Sequence, residues 1–365
     1  MNSLGFDKRE KDTKVVVAMS GGVDSSVASV ILKNEGYDVI GVTLRLYNSS
    51  DIPKSKSCCA GIDINDAKKV ANENNFPHYV YDYQNQFFEG VINNFIDSYA
   101  NAETPVPCIK CNQTVKFNDL LIAAKKMGAD ALVTGHYARI ERKCNEVRLF
   151  KALDTTKDQS YFLFATLKDQ LDYVRFPLGN FLKSDIRSMA KNFNLDVSNK
   201  PDSQDICFVT SSSYKDFINK IQPDINKKGN IYDIQRNIVG THDGIANYTI
   251  GQRKGVGIGG NKKPIYVLDI DKITNSITIG FKEDLLKTKI FFKNINWLDS
   301  KIDPKNLKCS AKIRSNQKEL PGTLNINKLG GEFIFDQKVH STSPGQACVL
   351  YINNQVLGGG WIVKS

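Results

Sequence analysis

Residues 15–26 read VVVAMSGGVDSS. The apolar run Val15–Val17 is β-branched and stops at Met19, and a loop of small residues follows, Ser20-Gly21-Gly22-Val23-Asp24-Ser25-Ser26. From Val27 to Leu32 the sequence VASVIL takes up a helical pattern. Strand, glycine loop and helix N-terminus in that order make an anion cradle, because backbone N–H groups converge there and the helix dipole favours negative charge. Gly21 and Gly22 let the backbone approach a phosphate with no Cβ in the way. The loop lacks the Gly-Lys-Ser/Thr ending of a P-loop and does not match GxGxxG. The plain alternative is a glycine turn before an ordinary α/β helix. Ser20, Asp24, Ser25 and the preceding strand favour phosphate.

Outward from this loop, residues 14–210 alternate strand and helix patterns. Strands are expected at 37–47 and 77–83, and helices at 64–75, 87–101 and 115–128. ADALVTGHYARI (129–140) reads as a strand running into a loop. The alternation predicts a parallel, doubly wound sheet with ligands at the carboxyl ends of its strands, where the loops after Met19, Thr43 and Thr134 fall. Beyond residue 210 one more helix pattern, 212–223, gives way to short alternating strands separated by Gly, Asn and Asp turns. The expected layout is a disordered lead-in over 1–13, a catalytic α/β domain over 14–210, a small β-rich domain over 211–285 and a C-terminal β-barrel over 286–365.

The chain has 365 residues and a formal net charge of +10. Residues 1–210 hold 26 Lys+Arg against 26 Asp+Glu, and 211–365 hold 23 against 13, so the second stretch carries the whole excess. A neutral catalytic part joined to a basic part points to a polyanionic partner, against the plainer reading of a lysine-rich solvated surface. No run approaches the roughly 18 apolar residues of a membrane span. The polar N-terminus has no apolar signal core, so the expected location is cytoplasmic. Eight cysteines in such a chain argue for reactive, redox or metal roles over a disulfide framework. Cys309 and Cys348 lie in strand-like runs and read as small core residues.

Cys108 and Cys111 form CxxC, which from spacing alone is a redox pair, half a metal site or coincidence. Pro105 and Pro107 force an extended approach, and a helix pattern starts near Asn112. A thiol beside a helix N-terminus with Lys110 and Lys116 nearby is expected to be partly thiolate. Cys207 sits in the apolar tetrad Ile206–Val209, where core packing is the default. Cys58 and Cys59 read as a spare thiol loop. His78 and His340 read as structural, His136 as shaping the nucleotide site, and His242 as a candidate RNA contact.

SGGVDSS resembles the pyrophosphate loop of the N-type ATP pyrophosphatases. Together with GVTLRLY (41–47), CNQTVKF (111–117), ALVTGHYARI (131–140), KDQSYFL (157–163), DICF (205–208), YTIGQRKGVGIGG (248–260) and STSPGQACVLY (341–351), it makes essentially all of residues 14–365 resemble the tRNA-specific 2-thiouridylases. The resemblance implies ATP-dependent 2-thiolation of a tRNA wobble uridine, by adenylation of the uracil C2 oxygen and sulfur transfer from a cysteine persulfide. It places ATP phosphates on Ala18, Met19, Ser20, Gly21, Gly22, Val23, Asp24 and Ser25, with Leu44 and Gly135 lining the adenine or ribose site and Mg²⁺ on the pyrophosphate. It makes Cys111 the nucleophile and Cys207 the persulfide carrier, with a transient disulfide between them, and Lys157, Asp158, Gln159, Arg314 and Ser315 tRNA contacts. The partners it implies are tRNA and a sulfur donor, either a cysteine desulfurase or a sulfur-relay protein. Many members carry an acidic residue where Cys108 stands. Two roles for Cys108 stay open: proton transfer, or an iron–sulfur cluster shared with Cys111 and Cys207. A zinc site lacks an evident fourth ligand. The alternatives are an ATP-dependent ligase or amidase acting on a small molecule, and an iron–sulfur RNA-binding protein.

Overall fold

The computed structural model describes residues 1–47, 61–143, 146–202, 206–209, 213–259, 263–340 and 342–364. Cys58, Cys59 and Cys144 lie outside them. The chain divides into two compact units, one of residues 1–91, 108–211 and 354–356, the other of 92–107, 212–353 and 357–365.

The first unit is built on five parallel strands, β1 (Lys14–Ala18), β2 (Asp38–Arg45), β3 (His78–Asp82), β4 (Ala131–Thr134) and, beyond an antiparallel hairpin of β5 (Ala138–Lys143) and β6 (Glu146–Lys151), β7 (Val174–Arg175). Their order is β3-β2-β1-β4-β7. Val15, Val16 and Val17 are wholly buried, as a central parallel strand covered on both faces requires. Helices α1 (Val23–Asn34) and α2 (Gly61–Glu73) flank the sheet and share its core through Val27, Val30, Ala67 and Val70. The chain runs outward in both directions from β1, so the crevice at the switch point opens between the carboxyl ends of β1 and β4. The expected loop after Thr134 spans only residues 135–137, and the chain then forms an antiparallel hairpin. Its residues alternate across the hairpin, Ile140 opposite Leu149 and Arg142 opposite Val147. Gln355 and Val356 extend that hairpin from the edge of β6.

Residues 1–13 are ordered rather than a loose lead-in. Leu4 is buried, Arg175 donates to its carbonyl at 2.8 Å, and the guanidinium lies 4.4 Å from the Phe6 ring centroid. One apolar anchor and one buried cation fix a segment whose composition alone suggests disorder.

The second unit holds two sheets. The first comprises β8 (Gly229–Tyr232), β9 (Ile238–His242), β10 (Tyr266–Asp271) and β11 (Ser276–Gly280), ordered β10-β11-β8-β9 around Ile231, Val267 and Ile277. The second comprises β12 (Leu286–Trp297), β13 (Leu307–Lys312), β14 (Leu320–Asn327), β15 (Gly330–His340), β16 (Ala347–Ile352) and β17 (Gln355–Val363). It runs β12-β15-β14-β13-β16-β17 and closes by β12 pairing with β17, a six-stranded antiparallel barrel. Phe292, Phe333, Leu350 and Cys348 fill its interior. Among the described residues no helix is long and apolar enough to cross a membrane.

Candidate active site

The loop from Met19 to Ser25 lies at the carboxyl end of β1 and enters α1 through Gly22, whose extended φ of −93° makes it the N-cap. The first N–H groups of α1 have no intrahelical partner and point out of the helix end. Ser25 organises the loop. Its hydroxyl donates to the Gly22 carbonyl at 3.3 Å and accepts from the Ser20 N–H at 3.1 Å. Thr43 holds the strand end by donating to the Met19 carbonyl at 2.8 Å. Two glycines shape the space. Gly21 has φ +70°, and a Cβ there would stand 2.2 Å from the Asp63 carbonyl oxygen. A Cβ on Gly135, just past the end of β4, would stand 2.8 Å from the Ser25 nitrogen. Both glycines are thus required by close backbone packing, Gly21 on Asp63 and Gly135 on Ser25, which fixes the loop at the start of α1. Leu44, half-buried at the end of β2, flanks β1 on its other side.

A charge network that no local motif announces surrounds this loop. Lys183, on the first turn of α3 (Lys183–Asn192), donates to both Asp24 carboxylate oxygens at 2.6 and 2.7 Å and stands 3.0 Å from Asp202. Tyr137 donates its hydroxyl to Asp24 at 2.8 Å. Asp202 also takes Lys157 at 2.8 Å and Arg187 at 2.7 Å. Burial would raise the Asp202 carboxyl, but Lys157 and Lys183 outweigh it and hold it at about 2. Lys200 donates to the Gly21 carbonyl at 2.9 Å, to Asp66 at 2.8 Å and to Asp63. Burial pushes the Asp63 carboxyl up, with Lys200 pulling the other way, and Asp63 Oδ2 has no hydrogen-bond partner among the described residues.

Residues 157–159 spend polar groups on the chain itself. Besides the Lys157–Asp202 pair, Asp158 accepts from the Ala152 N–H at 3.1 Å and from the Ser160 hydroxyl at 2.8 Å, and the Gln159 side-chain oxygen accepts from the Tyr137 N–H at 2.9 Å.

The cysteines depart from expectation. The helical run begins at Pro107, not near Asn112, because proline suits a first helical position. It proceeds as Pro107–Cys111, a π-helical Asn112–Leu120 and Leu121–Lys126. Cys111 is buried within this run. Burial pushes its thiol up against the pull of Lys116, so the expected partial thiolate is overturned. Cys108 offers surface to solvent but is crowded by protein atoms, which also raises its thiol. Accessibility, not crowding, decides whether a reagent reaches it. Cys207 is partly exposed, its carbonyl accepts from the Tyr47 hydroxyl at 3.0 Å, and its neighbour Phe208 packs edge-on to Phe87 at 5.7 Å. Three residues on from Phe87, Gly90 lies 3.3 Å (ideal Cβ) from the Thr114 hydroxyl in the π-helical segment after Cys111. The segments bearing Cys111 and Cys207 thus share one packing neighbour, residues 87–90. Among the described residues no three Cys, His, Asp or Glu side chains form a metal-holding group. Asn112 ties the helix to KDQSYFL by donating to the Phe162 carbonyl at 3.1 Å.

His242 is structural, not a surface contact. It is buried, with one ring nitrogen 3.1 Å from the Asn275 carbonyl and the other accepting from the Gly244 N–H. His136 shares a hydrogen bond with Thr134 and packs near Phe117 and Phe176; burial and Lys116 hold its pKa well below the usual value. Cys309 and Cys348 are buried in the barrel, with the Cys309 thiol pushed up to about 12 by burial. Arg314 lines a barrel cavity of about 510 Å³ with Gln317, Lys338 and His340. Its guanidinium lies 3.7 Å from where a Gly251 Cβ would sit, which brings it to the YTIGQR stretch, and Ser315 is exposed.

Three family profiles match in series: "tRNA methyl transferase HUP domain" over residues 13–211, "tRNA methyl transferase PRC-barrel domain" over 215–281 and "Aminomethyltransferase beta-barrel domain" over 287–362. The tRNA-specific 2-thiouridylase MnmA of Ehrlichia ruminantium (strain Welgevonden) is 51% identical over 359 residues, covering 98% of this chain and 96% of that protein. That of Rhodospirillum centenum is 45% identical over 374 residues, covering 100% and 95%. Among solved structures, a 4-thiouridine synthetase–RNA complex with bound ATP aligns at 16% identity and a TM-score of 0.36 over 58% of this chain and 51% of that one, too distant to carry an argument. With identity near one half over essentially the whole chain, the chain belongs to the tRNA-specific 2-thiouridylase family.

Proposed function

We propose that this protein forms 2-thiouridine at the wobble position of tRNA, using ATP to activate the uracil C2 oxygen and a persulfide on Cys207 as the sulfur source. The observation that carries the reading is the helix N-terminus that the glycine loop presents at the end of β1, in the same unit as Cys111 and Cys207. The N–H groups from Gly22 to Ser25 hold the phosphates, with Leu44 and Gly135 beside the adenosine. Mg²⁺ would come with ATP and offset charge on the departing pyrophosphate.

The uracil C2 oxygen is a poor leaving group until it carries AMP, with pyrophosphate released from ATP. The terminal sulfur of a Cys207 persulfide is soft and nucleophilic at neutral pH. It bonds to C2, and AMP departs with the former C2 oxygen. Cys111 then attacks Cys207 Sγ, the S–S bond breaks, and its electron pair stays on the transferred sulfur. A Cys111–Cys207 disulfide remains, and a cellular thiol reductant resets it. Cys111 is buried and its thiol raised. This step therefore needs a base once substrate is seated. The sulfur donor is a cysteine desulfurase or relay protein, and the compartment is the cytoplasm.

The basic excess of residues 211–365 supplies phosphate contacts, with Arg314 and Ser315 on the barrel and Lys157, Asp158 and Gln159 in the other unit. Lys157 contacts tRNA through the N–H groups it does not give to Asp202, and Asp158 and Gln159 act through the turn they stabilise. The domain assignment we propose is catalytic over 14–210, β-rich over 211–285 and barrel over 286–365.

The test is thiolation of unmodified tRNA with ATP and either sulfide or a cysteine desulfurase. Product containing 2-thiouridine, absent in Cys111→Ser and Cys207→Ser, is expected; retained thiolation in either variant overturns the assigned roles. A ligase or amidase acting on a small molecule would instead release pyrophosphate at the same rate with and without tRNA.

A further inference from the structure

We propose that Lys183 is a phosphate-contacting residue of the nucleotide loop, turning one N–H from the Asp24–Asp202 pair to a phosphate oxygen of ATP. The inference rests on the ATP reading above and adds a residue that no motif marks.

Asp24 sits in the first turn of α1, where a phosphate is to be held. An uncompensated carboxylate there would repel it. Lys183 cancels that charge through both carboxylate oxygens. The Lys183 side chain is 10% exposed, so the ammonium is held in place, and the Tyr137 ring centroid lies 5.5 Å from it.

Lys200, the other ammonium at this loop, makes an instructive contrast. Its three N–H groups meet three separate groups, the Gly21 carbonyl, Asp63 and Asp66, and it has nothing to spare. Lys183 spends two donors on the same carboxylate. One can leave while Asp24 keeps a partner, and Asp24 also keeps the Tyr137 hydroxyl. Asp202 likewise keeps Lys157 and Arg187 when Lys183 turns away. Both carboxylates therefore tolerate the exchange, and the ammonium would offset charge building on the departing pyrophosphate.

The experiment measures ATP affinity, tRNA-dependent pyrophosphate release, tRNA affinity and melting temperature in wild type, K183M, K183R, D24N and the double variant K183M/D24N. K183M should lower kcat for pyrophosphate release by about 100-fold, a typical loss for one transition-state donor, with tRNA Kd within about threefold. K183R, which keeps the charge, should lose no more than about tenfold. K183M leaves Asp24 without a cation, and the double variant removes that stranded carboxylate, so relative to D24N alone it should recover melting temperature lost in K183M but not pyrophosphate release. Recovery of both would make Lys183 a structural counter-ion and overturn the proposal. If K183M does not fold, K183R decides: an ATP KM raised about fivefold or more with tRNA KM unchanged supports a phosphate contact, and an unchanged ATP KM overturns it. Failure of wild type to bind ATP or release pyrophosphate would instead overturn the ATP reading itself.

Discussion

Around the loop from Ser20 to Ser25 every flank is fixed: Gly21 against Asp63, Gly135 against Ser25, Thr43 on the Met19 carbonyl and Lys200 on the Gly21 carbonyl. Around the thiols of the same unit the reverse holds. Cys111 is buried with a raised thiol, Cys207 is tethered through its own carbonyl and the neighbouring Phe208 ring, and the three candidate cysteines form no common ligand group among the described residues. Preset donors cost no reorganisation when charge develops, so the nucleotide end is ready before tRNA arrives. A neutral thiol is a poor nucleophile, so the sulfur end acquires its reactivity only from a persulfide and from what seats beside it.

The comparison breaks most sharply at the thiols. Cys111→Ser and Cys207→Ser should each lower thiolation by at least about 1,000-fold, as loss of a covalent nucleophile does, while tRNA-dependent pyrophosphate release persists. If pyrophosphate release also vanishes, the two ends are not separable. At the loop, Gly21→Ala forces a Cβ into the Asp63 carbonyl and should cut ATP-dependent pyrophosphate release by about 100-fold, comparable to losing preorganised donors. Gly128→Ala is the control. It has the same φ of +70° but open space, so it should cost about 1 kcal/mol of stability and leave activity intact. Equal losses in the two would refute a shape-specific cradle.

The sheet beneath the loop makes a pH prediction. His78, bonded to Thr43 at 2.8 Å, has its pKa lowered from 6.5 to about 4 by burial, with Lys68 adding to it. Between those values the unfolded chain binds a proton that the folded chain refuses. Stability therefore falls as pH falls through this window, by at most on the order of 3 kcal/mol, and the His78 contribution is flat above it. Melts of wild type and His78→Gln at pH 7 and pH 4.5 check this; identical pH slopes would contradict it. The smallest effect belongs to the barrel. Arg314→Ala should weaken tRNA binding about threefold to tenfold and reduce the salt slope by about one, without touching ATP affinity. An unchanged salt slope would remove Arg314 from the interface.

The strand–loop–helix turn was legible because its determinants are neighbours in sequence: a β-branched run, two glycines and a helix start within residues 15–32. The thiol state was not, because a helix N-terminus and two lysines are visible in the chain while burial is not. The antiparallel pairing of residues 138–151 was missed although its alternation is present in the sequence, the run having been read through from the preceding strand. Lys183, Lys200 and Asp202 were invisible for a different reason. Each pairs across more than a hundred residues or converges from several segments, and local pattern carries no trace of that. His242 looked like a surface group in a glycine-rich loop, and only the fold shows both its nitrogens occupied.

The central claim is tested most directly by a single turnover. The protein is loaded with radiolabelled sulfur as a persulfide, freed of donor, and mixed with unmodified tRNA with and without MgATP. The account predicts that label leaves Cys207 and appears in 2-thiouridine at about one per loaded protein, only with ATP, leaving a Cys111–Cys207 disulfide. Label that stays on the protein, or that reaches tRNA without ATP, would contradict it.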